Sequence, residues 1–450
     1  MPCLRTRALC LWLSGGILVL VLAAAARAEE AAPAAAAAKG ELADVVAEAS
    51  ALGPWKPLWD GKTLSGWHQI GKGHWAIEFG AIVGRHEKGE PEFSHLVTDA
   101  TYKDFTVRLK YKAIVGNSGL YFRVEKKGGS GISGFQAEID PNQDAGGLYE
   151  TNGRAWVVQP RPEDVKTWYK PNDWNEMTVT AIGGNVAVHV NGKRSATLID
   201  DPGRREGHVA LQVHGGQDCE VMFKDIEILE WKDLTPGPGM AGWKKPTGDW
   251  EMVRRAVKDP NNEKALSVEA GAGVIYNGAK GSTSNLFTDL EHGDVAAHIE
   301  FMIPKGSNSG VYFMGRYEIQ VYDSHGVAKG EYPGIECGGI YERWDPARGQ
   351  GKEGFEGRSP RVNASLPPGV WQSFDVVFLA PRFGADGKKT AHAKFVKVVH
   401  NGVVIHENVE LTGPTRGAAF DDEKPLGPLM IQGDHGPVAY RNLKVLPLGK

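Results

Sequence analysis

Apolar and polar residues alternate with a period of two along several short segments of the chain. Residues 105–112 read Phe-Thr-Val-Arg-Leu-Lys-Tyr-Lys, which is typical of a strand with one face on a core. Residues 176–182 and 186–190 have the same character and flank Gly183-Gly184, which predicts a β-hairpin. Many short strands without a helix-length periodic segment predict an all-β, jelly-roll-like sandwich.

The pattern occurs twice. Asn117–Phe122 returns as Asn308–Phe313 at an offset of 191 (308 − 117). Further pairs follow in the same order: 135–140 with 317–322, 146–149 with 338–341, Trp174 with Trp371, Asn191-Gly192 with Asn401-Gly402, and Gln212-Val-His214 with Gln432 and His435. The offset grows to 220 (432 − 212) at the glutamines, so we expect insertions in the second copy, in edge loops at 343–363 and 381–390. The repeat predicts two tandem sandwich domains.

The first 28 residues have the pattern of an export signal. Arg5 and Arg7 precede an apolar run, and Ala26-Arg27-Ala28 offers the small residues that a signal peptidase reads. A retained membrane anchor is the alternative, because the run is just long enough to span a bilayer. Cleavage after Ala28 predicts an exported protein, periplasmic or extracellular, without a membrane anchor.

These signals together predict five segments. They are a signal peptide at 1–28, an Ala-rich linker at 29–54, a first sandwich at 55–232, a Pro/Gly linker at 233–243 and a second sandwich at 244–450. The linker between the sandwiches contains Pro236-Gly237-Pro238-Gly239, which cannot continue a strand.

The composition excludes several classes of partner. A net charge of −4, with 24% charged and 41% hydrophobic residues, predicts neither nucleic-acid binding nor a membrane-surface patch. Cys219 and Cys337 fall in different repeats and fit neither a zinc site nor a disulfide scaffold. The glycines at 129–134 and 237–242 have dinucleotide-binding spacing but precede no helix, so we expect no nucleotide cofactor.

The candidate site is a polar face of one sheet in each copy. Alternation places Gln136, Glu138 and Asp140 on the same side of one strand, opposite a core row. Gln212 and His214 share a face of a later strand. Acid, amide and imidazole groups around a concave sheet suit a sugar, whereas the alternative is a face that only meets water.

The second copy presents a related set of polar residues, and individual roles stay open. The substrate-binding candidates are Asn117, Arg123, Gln136, Tyr149, Trp174 and Gln212 in the first copy, and Asn308, Gln320, Tyr341 and Gln432 in the second. Arg123 either orients a substrate or pairs with a surface acid. Asn117 and Asn308 are either ligands or turn formers.

Each copy resembles the 3-keto-disaccharide hydrolase domain, a concanavalin-like sandwich found in exported bacterial proteins. The matching segments of the first copy are 58–67, 117–123, 174–175, 191–192, 211–214 and 223–226. Those of the second are 308–313, 317–321, 338–341, Trp371, Gln432 with His435, and 440–443. The second copy lacks the opening Asp-Gly-Lys motif and has Met314 in place of Arg123. Because Glu and Gln are also exchanged between the copies, one copy is expected to be silent in catalysis.

The resemblance implies action on sugars already oxidised at C3, with a separate dehydrogenase upstream. The ketone acidifies the C2 hydrogen, so a base can remove it and expel the C1 substituent before water adds back. Arg123, Gln136 or Gln212 would donate to the enolate oxygen. The acid/base candidates are Glu138, Asp140 and His214, or Glu318, Asp323 and His435. A divalent ion could also be bound, although the sequence shows no spacing of metal ligands. The alternative functions are non-catalytic carbohydrate binding and glycoside hydrolysis by two carboxylates.

Overall fold

The protein is described by a computed structural model that covers residues 53–449, apart from 142, 200, 236, 238 and 329–333. The predicted signal peptide and nearly all of the Ala-rich linker lie outside the described residues. The described part of the chain is nearly all β, as predicted, and its helical segments are α1 (Pro162–Val165) and a 3-10 turn at Pro346–Arg348. Within the described ranges, no helix has the length and apolar character needed to cross a membrane.

The first repeat is a sandwich of two antiparallel sheets. Its strands are β1 (Lys56–Pro57), β2 (Trp67–Gly71), β3 (His74–Glu78), β4 (Ala81–His86), β5 (Ser94–Tyr102), β6 (Phe105–Val115), β7 (Ser118–Gly128), β8 (Gly131–Ile139), β9 (Leu148–Thr151), β10 (Ala155–Val158), β11 (Asn175–Ile182), β12 (Asn185–Val190), β13 (Lys193–Leu198), β14 (Gly207–Val213) and β15 (Cys219–Glu230). The back sheet has the order β13-β12-β11-β6-β15-β4-β3, with β1 beside β15, and the front sheet has the order β10-β9-β8-β7-β14-β5-β2.

The second repeat has the same two layers with a smaller front sheet. Its strands are β16 (Lys232–Asp233), β17 (Glu251–Lys258), β18 (Leu266–Tyr276), β19 (Leu286–His292), β20 (Val295–Met302), β21 (Asn308–Phe313), β22 (Tyr317–Tyr322), β23 (Arg343–Trp344), β24 (Gly354–Phe355), β25 (Gln372–Leu379), β26 (Arg382–Phe383), β27 (Lys389–Ala391), β28 (Ala393–His400), β29 (Val403–Leu411), β30 (Gly427–Ile431) and β31 (Ala439–Pro447). The back sheet is β17-β18-β31-β20-β25-β28-β29, with β16 beside β31, and the front sheet is β19-β30-β21-β22.

The local sequence signals correspond to the observed elements. The alternating residues of 105–112 lie in β6, with Phe105 and Tyr111 in the core between the sheets. The two predicted insertions each contain a short hairpin, β23–β24 and β26–β27. Asn191 and Gly192 have φ values of 50° and 78°, which is the double positive φ of a type I′ turn joining β12 and β13.

The two repeats pack through the outer faces of their back sheets. The shared buried apolar cluster contains Ile182, Leu229 and Trp231 from the first repeat and Ala296, Val377, Val399, Leu446 and Leu448 from the second. Beside it, Lys444 of β31 lies with Nζ 2.9 Å from Oδ2 of Asp104 and also contacts Asp233.

The predicted inter-domain linker is packed onto the second repeat. Lys232 and Asp233 form β16, which pairs with Val445 and Lys444. The Leu234 amide donates to the Leu443 carbonyl at 2.8 Å, and the side chain of Trp243 is buried in the second core. The first repeat thus ends close to Glu230, and the described part of the linker belongs to the second sandwich.

Candidate functional site

The front sheet of the first repeat carries a cavity of about 500 Å³. Strands β5, β14, β7 and β8 form its floor, and β9 and β10 extend one wall. The lining residues are Phe93, His95, Asn117, Tyr121, Ser130, Gly131, Ile132, Gln136, Glu138, Tyr149, Thr151, Asn152, Trp156, Gln212 and His214. This set contains most of the polar groups that the sequence predicted for one sheet face of the first copy.

Strand register brings four residues into one row across the floor of the cavity. Glu138 pairs with Gly119, Gly119 with Gln212, and Gln212 with His95. Paired residues of neighbouring strands project from the same face, so the row presents a carboxyl, a gap, an amide and an imidazole. Gly119 provides the gap, because a Cβ there would lie 2.6 Å from the side chain of Gln136.

Glu138 is the acidic group of the row. Its side chain is buried, and Oε1 accepts a hydrogen bond of 2.6 Å from Nδ2 of Asn117. Burial raises the pKa of Glu138 to about 8, and the nearby charges of Asp140 and Asp144 act in the same direction. A carboxyl with such a pKa is a strong base once it is ionised. Asn117 thus holds the carboxyl group through its side chain.

A hydrogen-bonded network fixes the two glutamines beside Glu138. Tyr121 Oη donates to Oε1 of Gln136 at 2.5 Å, and Nε2 of Gln212 donates to Tyr121 Oη at 3.2 Å. Nε2 of Gln136 lies 3.3 Å from Oε1 of Gln212 and 3.2 Å from the Ser118 carbonyl oxygen. Burial raises the pKa of Tyr121, so its phenol stays protonated. The network presents neutral polar groups in fixed orientations to a ligand.

His95 lies at the other end of the row and was absent from the sequence prediction. Its side chain is 3% exposed, and neither ring nitrogen has a hydrogen-bond partner among the described residues. The ring of Tyr121 meets it edge-on, with centroids 5.4 Å apart. Desolvation lowers the pKa of His95 to about 4, so its imidazole is neutral near pH 7.

His214 and a pair of aromatic rings complete the wall. His214 follows the end of β14, and its Nδ1 lies 2.6 Å from the Gly215 carbonyl oxygen. That oxygen can only accept, so Nδ1 carries hydrogen. The ring of Phe93 lies 4.4 Å from that of His214. Tyr149 and Trp156 meet edge to face at 5.4 Å and provide an apolar surface on which a sugar ring can pack.

The corresponding row of the second repeat has lost both titratable groups. Gln320 pairs with Gly310, and the Gln432 amide donates to the Gly310 carbonyl. Because Leu286 pairs with Ile431, the register places Asn285 beside Gln432, where the first repeat has His95. The row therefore reads Gln, Gly, Gln, Asn instead of Glu, Gly, Gln, His.

Glu318 lies two residues along β22 from the position of the lost carboxyl. It pairs with Tyr312, as Gln136 pairs with Tyr121 in the first repeat. Its side chain is 2% exposed, and burial raises its pKa to about 8. The exchange of Glu and Gln noted in the sequence thus moves the carboxyl group by about 7 Å along the strand.

Segment 412–426 lies against this face of the second repeat. The Glu318 amide donates to Thr415 Oγ1 at 3.1 Å, and the Tyr312 hydroxyl lies 3.5 Å from the Arg416 carbonyl oxygen. Arg416 pairs with Glu342 at 3.3 Å. Further along the segment, Asp422 forms an ion pair with Arg316 at 2.6 Å. Glu423 contacts Lys389 and accepts a hydrogen bond from the Tyr317 hydroxyl. The backbone of this segment occupies the space above Tyr312.

A sequence model of the 3-keto-alpha-glucoside-1,2-lyase-like domain matches residues 54–229 and again residues 230–446. The chain belongs to this family. The resemblance inferred from the sequence is thereby confirmed, in two tandem copies, and the chain is a carbohydrate-active protein. The split at 229/230 also agrees with β16 pairing in the second sandwich.

Solved structures resemble parts of this chain, with low TM-scores. A Parabacteroides distasonis crystal structure named "putative glycosyl hydrolase" is 26% identical, covers 48% of this chain and 84% of that one, and has a TM-score of 0.35. The carbohydrate-binding module CBM66 from Bacillus subtilis is 21% identical over 36% of this chain and 93% of that one, with a TM-score of 0.29. No curated protein matches the chain.

Two predicted residues of the first repeat lie away from the cavity. Arg123 is fully buried, and its guanidinium donates to the backbone carbonyls of Gly183, Arg204 and Lys103 at 2.9–3.1 Å. This differs from the predicted substrate contact, because the side chain turns into the protein and ties three loops together. Trp174 precedes β11 in the back sheet, where Lys224 Nζ lies 4.1 Å above its ring. Asp140 follows the end of β8 and acts on Glu138 through its charge.

The remaining candidates of the second repeat are dispersed. His435 is exposed and pairs with Asp434 at 2.6 Å, and Asp434 holds the strand position equivalent to His214. Asp323 accepts a hydrogen bond of 2.8 Å from the Gly306 amide and braces that turn. Asn308 begins β21, and the half-buried Tyr341 donates its backbone amide to the Glu318 carbonyl.

A metal site has no support among the residues that the structure describes. In that part of the chain, no three or more His, Cys, Asp or Glu side chains cluster in a way that could hold an ion. Cys219 and Cys337 are buried free thiols.

Proposed function

We propose that the front sheet of the first repeat cleaves glycosides that already carry a ketone at C3, by elimination followed by hydration. The observation that carries this proposal is the number of carboxyl groups that line the cavity. Among its described lining residues, Glu138 is the one carboxyl group. Glycoside hydrolysis by displacement needs two carboxyl groups across the scissile bond, whereas elimination next to a ketone needs one base.

In this mechanism ionised Glu138 takes the proton from C2 of the sugar, and the electrons of the C–H bond move onto the C3 ketone as an enolate. The enolate then expels the C1 oxygen substituent and leaves a double bond between C1 and C2. His214 gives a proton to the leaving oxygen and takes one back from the water that adds at C1, while Glu138 returns its proton to C2. The net reaction consumes one water and yields a free 3-keto sugar and the former substituent.

The raised pKa of Glu138 suits this step. A proton next to a ketone is weakly acidic, and a base with a pKa of about 8 removes it faster than an ordinary carboxylate would. The fixed amides of Gln136 and Gln212 bind the sugar hydroxyls, and Tyr149 and Trp156 pack against its apolar face.

We assign turnover to the first repeat. The second repeat has Gln320 and Asn285 in the row where the first has Glu138 and His95, and segment 412–426 lies over its sheet. The substrate of the first repeat would come from a separate dehydrogenase that oxidises C3 of the sugar. Export of the protein would place the reaction outside the cytoplasm.

The test is release of the substituent from a 4-nitrophenyl 3-keto-α-glucoside beside its parent glucoside, with the full chain. We expect release from the keto-sugar alone, with kcat/KM rising as the pH increases through about 8, because the base must lose its proton. Glu138→Gln should reduce kcat by about 10³-fold.

Glu318→Gln is the matched control, because it changes an equally buried glutamate of the other repeat. It should stay within about two-fold of the wild type for the folded protein. Equal release from both sugars would indicate an ordinary glycosidase, and binding without release would indicate a carbohydrate-binding protein. Either result refutes the proposal, as does a loss of activity in Glu318→Gln with none in Glu138→Gln.

A further inference from the structure

Phe93 is an exposed aromatic side chain in the wall of the cavity, directly beside His214. The centroids of the two rings are 4.4 Å apart, and 36% of Phe93 remains exposed. On its other neighbour the ring of His95 lies parallel to it, with centroids 6.5 Å apart. Two imidazole rings therefore hold the phenyl ring in place, while part of its surface stays exposed at the cavity.

Phe93 is the last member of a line of side chains that begins at the proposed base. Oε1 of Glu138 in β8 accepts a hydrogen bond of 2.6 Å from Asn117. Asn117 immediately precedes β7 and His214 immediately follows β14, next to the last residues that these antiparallel strands pair. Phe93 immediately precedes β5 and contacts His214. Carboxyl, amide, imidazole and phenyl groups thus follow one another across four neighbouring strands.

This order defines where the substituent of the sugar lies. In the proposed reaction C2 of the sugar faces Glu138, and the leaving oxygen on C1 faces His214. The group attached to that oxygen extends away from the sugar ring. The next side chain along the line is Phe93, so the substituent meets the exposed part of its ring.

The end of the β7–β8 hairpin closes this part of the cavity. Ser130 at the hairpin end lines the cavity together with Phe93. A Cβ on Gly71 of β2 would collide with the carbonyl oxygen of Phe93 and would lie 3.0 Å from Cβ of Ser130. The hairpin end therefore reaches over β14 and β5 to the edge strand β2. Nζ of Lys126, 3.2 Å from Nε2 of His68 in β2, holds the hairpin there.

This part of the cavity offers an aromatic surface and few polar groups. The described lining beside Phe93 consists of Ser130, Gly131 and Ile132, of which Ser130 alone has a polar side chain. The nearby charged side chains pair with one another outside the lining: Lys72, Glu90 and Glu92. A second sugar would lose hydrogen bonds between its hydroxyls and water here. An aromatic ring loses none and packs favourably on phenylalanine.

We propose that the site takes 3-keto-glycosides whose substituent on C1 is an aromatic group, and that this group packs on Phe93. This inference rests on the proposed function of the same site. The aromatic group leaves as a phenol once its oxygen has taken the proton from His214, so the step needs no additional reactant. The sugar itself stays beside Glu138, where Tyr149 and Trp156 provide its packing surface.

The test compares phenyl and methyl 3-keto-α-glucosides as substrates of the full chain. Phe93→Ala should lower the ratio of kcat/KM for the phenyl substrate to that for the methyl substrate by about ten-fold relative to the wild type. The loss should come from KM, because the contact with Phe93 is present both before and during the reaction. The intrinsic reactivity of the two leaving groups cancels, since both proteins receive the same two substrates.

The direction of the change separates this role from support of His214. A displaced His214 would slow the methyl glucoside more, because its leaving oxygen is the more basic of the two and depends more on the proton. The ratio would then rise instead of falling. Phe93→Leu keeps an apolar side chain beside His214 without an aromatic ring, and its ratio should fall between those of the wild type and Phe93→Ala.

Phe79→Ala is the matched control. It removes a phenylalanine that is 88% exposed in the turn between β3 and β4 and lies outside the cavity lining. This variant should keep the wild-type ratio. A fall of the same size in Phe79→Ala and Phe93→Ala would refute a specific contact with Phe93.

The outcomes distinguish this inference from the proposed function beneath it. If the wild type leaves both keto-glucosides intact, the proposed function fails and the role of Phe93 fails with it. If the wild type cleaves them but Phe93→Ala keeps or raises the phenyl-to-methyl ratio, the function stands and the aromatic subsite is refuted. A fall that comes from kcat alone, with KM unchanged, refutes it as well.

Discussion

Ionisation of Glu138 should destabilise the protein. Burial raises the pKa of Glu138 from 4.5 to about 8. Between these two pH values the folded chain holds a proton that the unfolded chain has released. The contribution of Glu138 to the free energy of unfolding is therefore fully present at low pH and is lost as the pH rises through about 8. At about 1.36 kcal/mol per pH unit, the gap corresponds to at most about 5 kcal/mol, and water entering the cavity reduces this value.

Glu138→Gln removes the ionisation and keeps the side-chain oxygen that accepts from Asn117 at 2.6 Å. The difference in unfolding free energy, variant minus wild type, should therefore rise by about 2–5 kcal/mol between pH 5 and pH 9. Urea unfolding followed by tryptophan fluorescence measures both proteins. Glu318, whose pKa is also raised to about 8, is present in both and cancels from the difference.

The exposed Glu163 provides the control. Glu163→Gln should follow the wild-type pH dependence, because this side chain stays exposed to water in the folded chain. If the unfolding free energies of Glu138→Gln and the wild type change in parallel from pH 5 to pH 9, Glu138 titrates normally. The physical basis for assigning it as the base would then be lost.

Two further predictions concern buried cations. Arg123→Met should lower the free energy of unfolding by about 3 kcal/mol or more, because three buried carbonyls lose their donor; thermal unfolding measures it, and an unchanged Tm would contradict the assignment. Lys444→Met should cost about 3–5 kcal/mol in urea unfolding, since Asp104 and Asp233 lose the cation that pairs with both of them at the buried interface. A loss below about 1 kcal/mol would show that water already screens this contact.

Strand alternation was enough to predict much of the site. The face shared by Gln136 and Glu138 follows from period two, and the core row of β8 confirms it. His95 could have been found in the same way, because it alternates with the core residue Leu96 in β5. The adjacent Leu96 and Val97 hide the period, since both are buried, one in the core and one on the cavity face.

Other features depend on contacts that a linear pattern does not encode. Arg123 lies one residue after Phe122, and its φ of 53° departs from strand geometry, so its side chain leaves the face that alternation predicts. The cover over Tyr312 comes from segment 412–426, about a hundred residues further along the chain. The place of His214 is taken by Asp434 because one extra residue separates Gln432 from His435.

The ion pair of Lys444 with Asp104 gives the second repeat a structural role that does not depend on its row of polar residues. A duplicate that only repeated the chemistry would be dispensable once its carboxyl moved. Here the duplicate also covers Trp231 and Leu229 and neutralises a buried acid of its neighbour. The first repeat, to which we assign turnover, therefore depends on the second for this cover, so a chain cut down to the first repeat would expose an apolar surface and an acid that has lost its lysine partner.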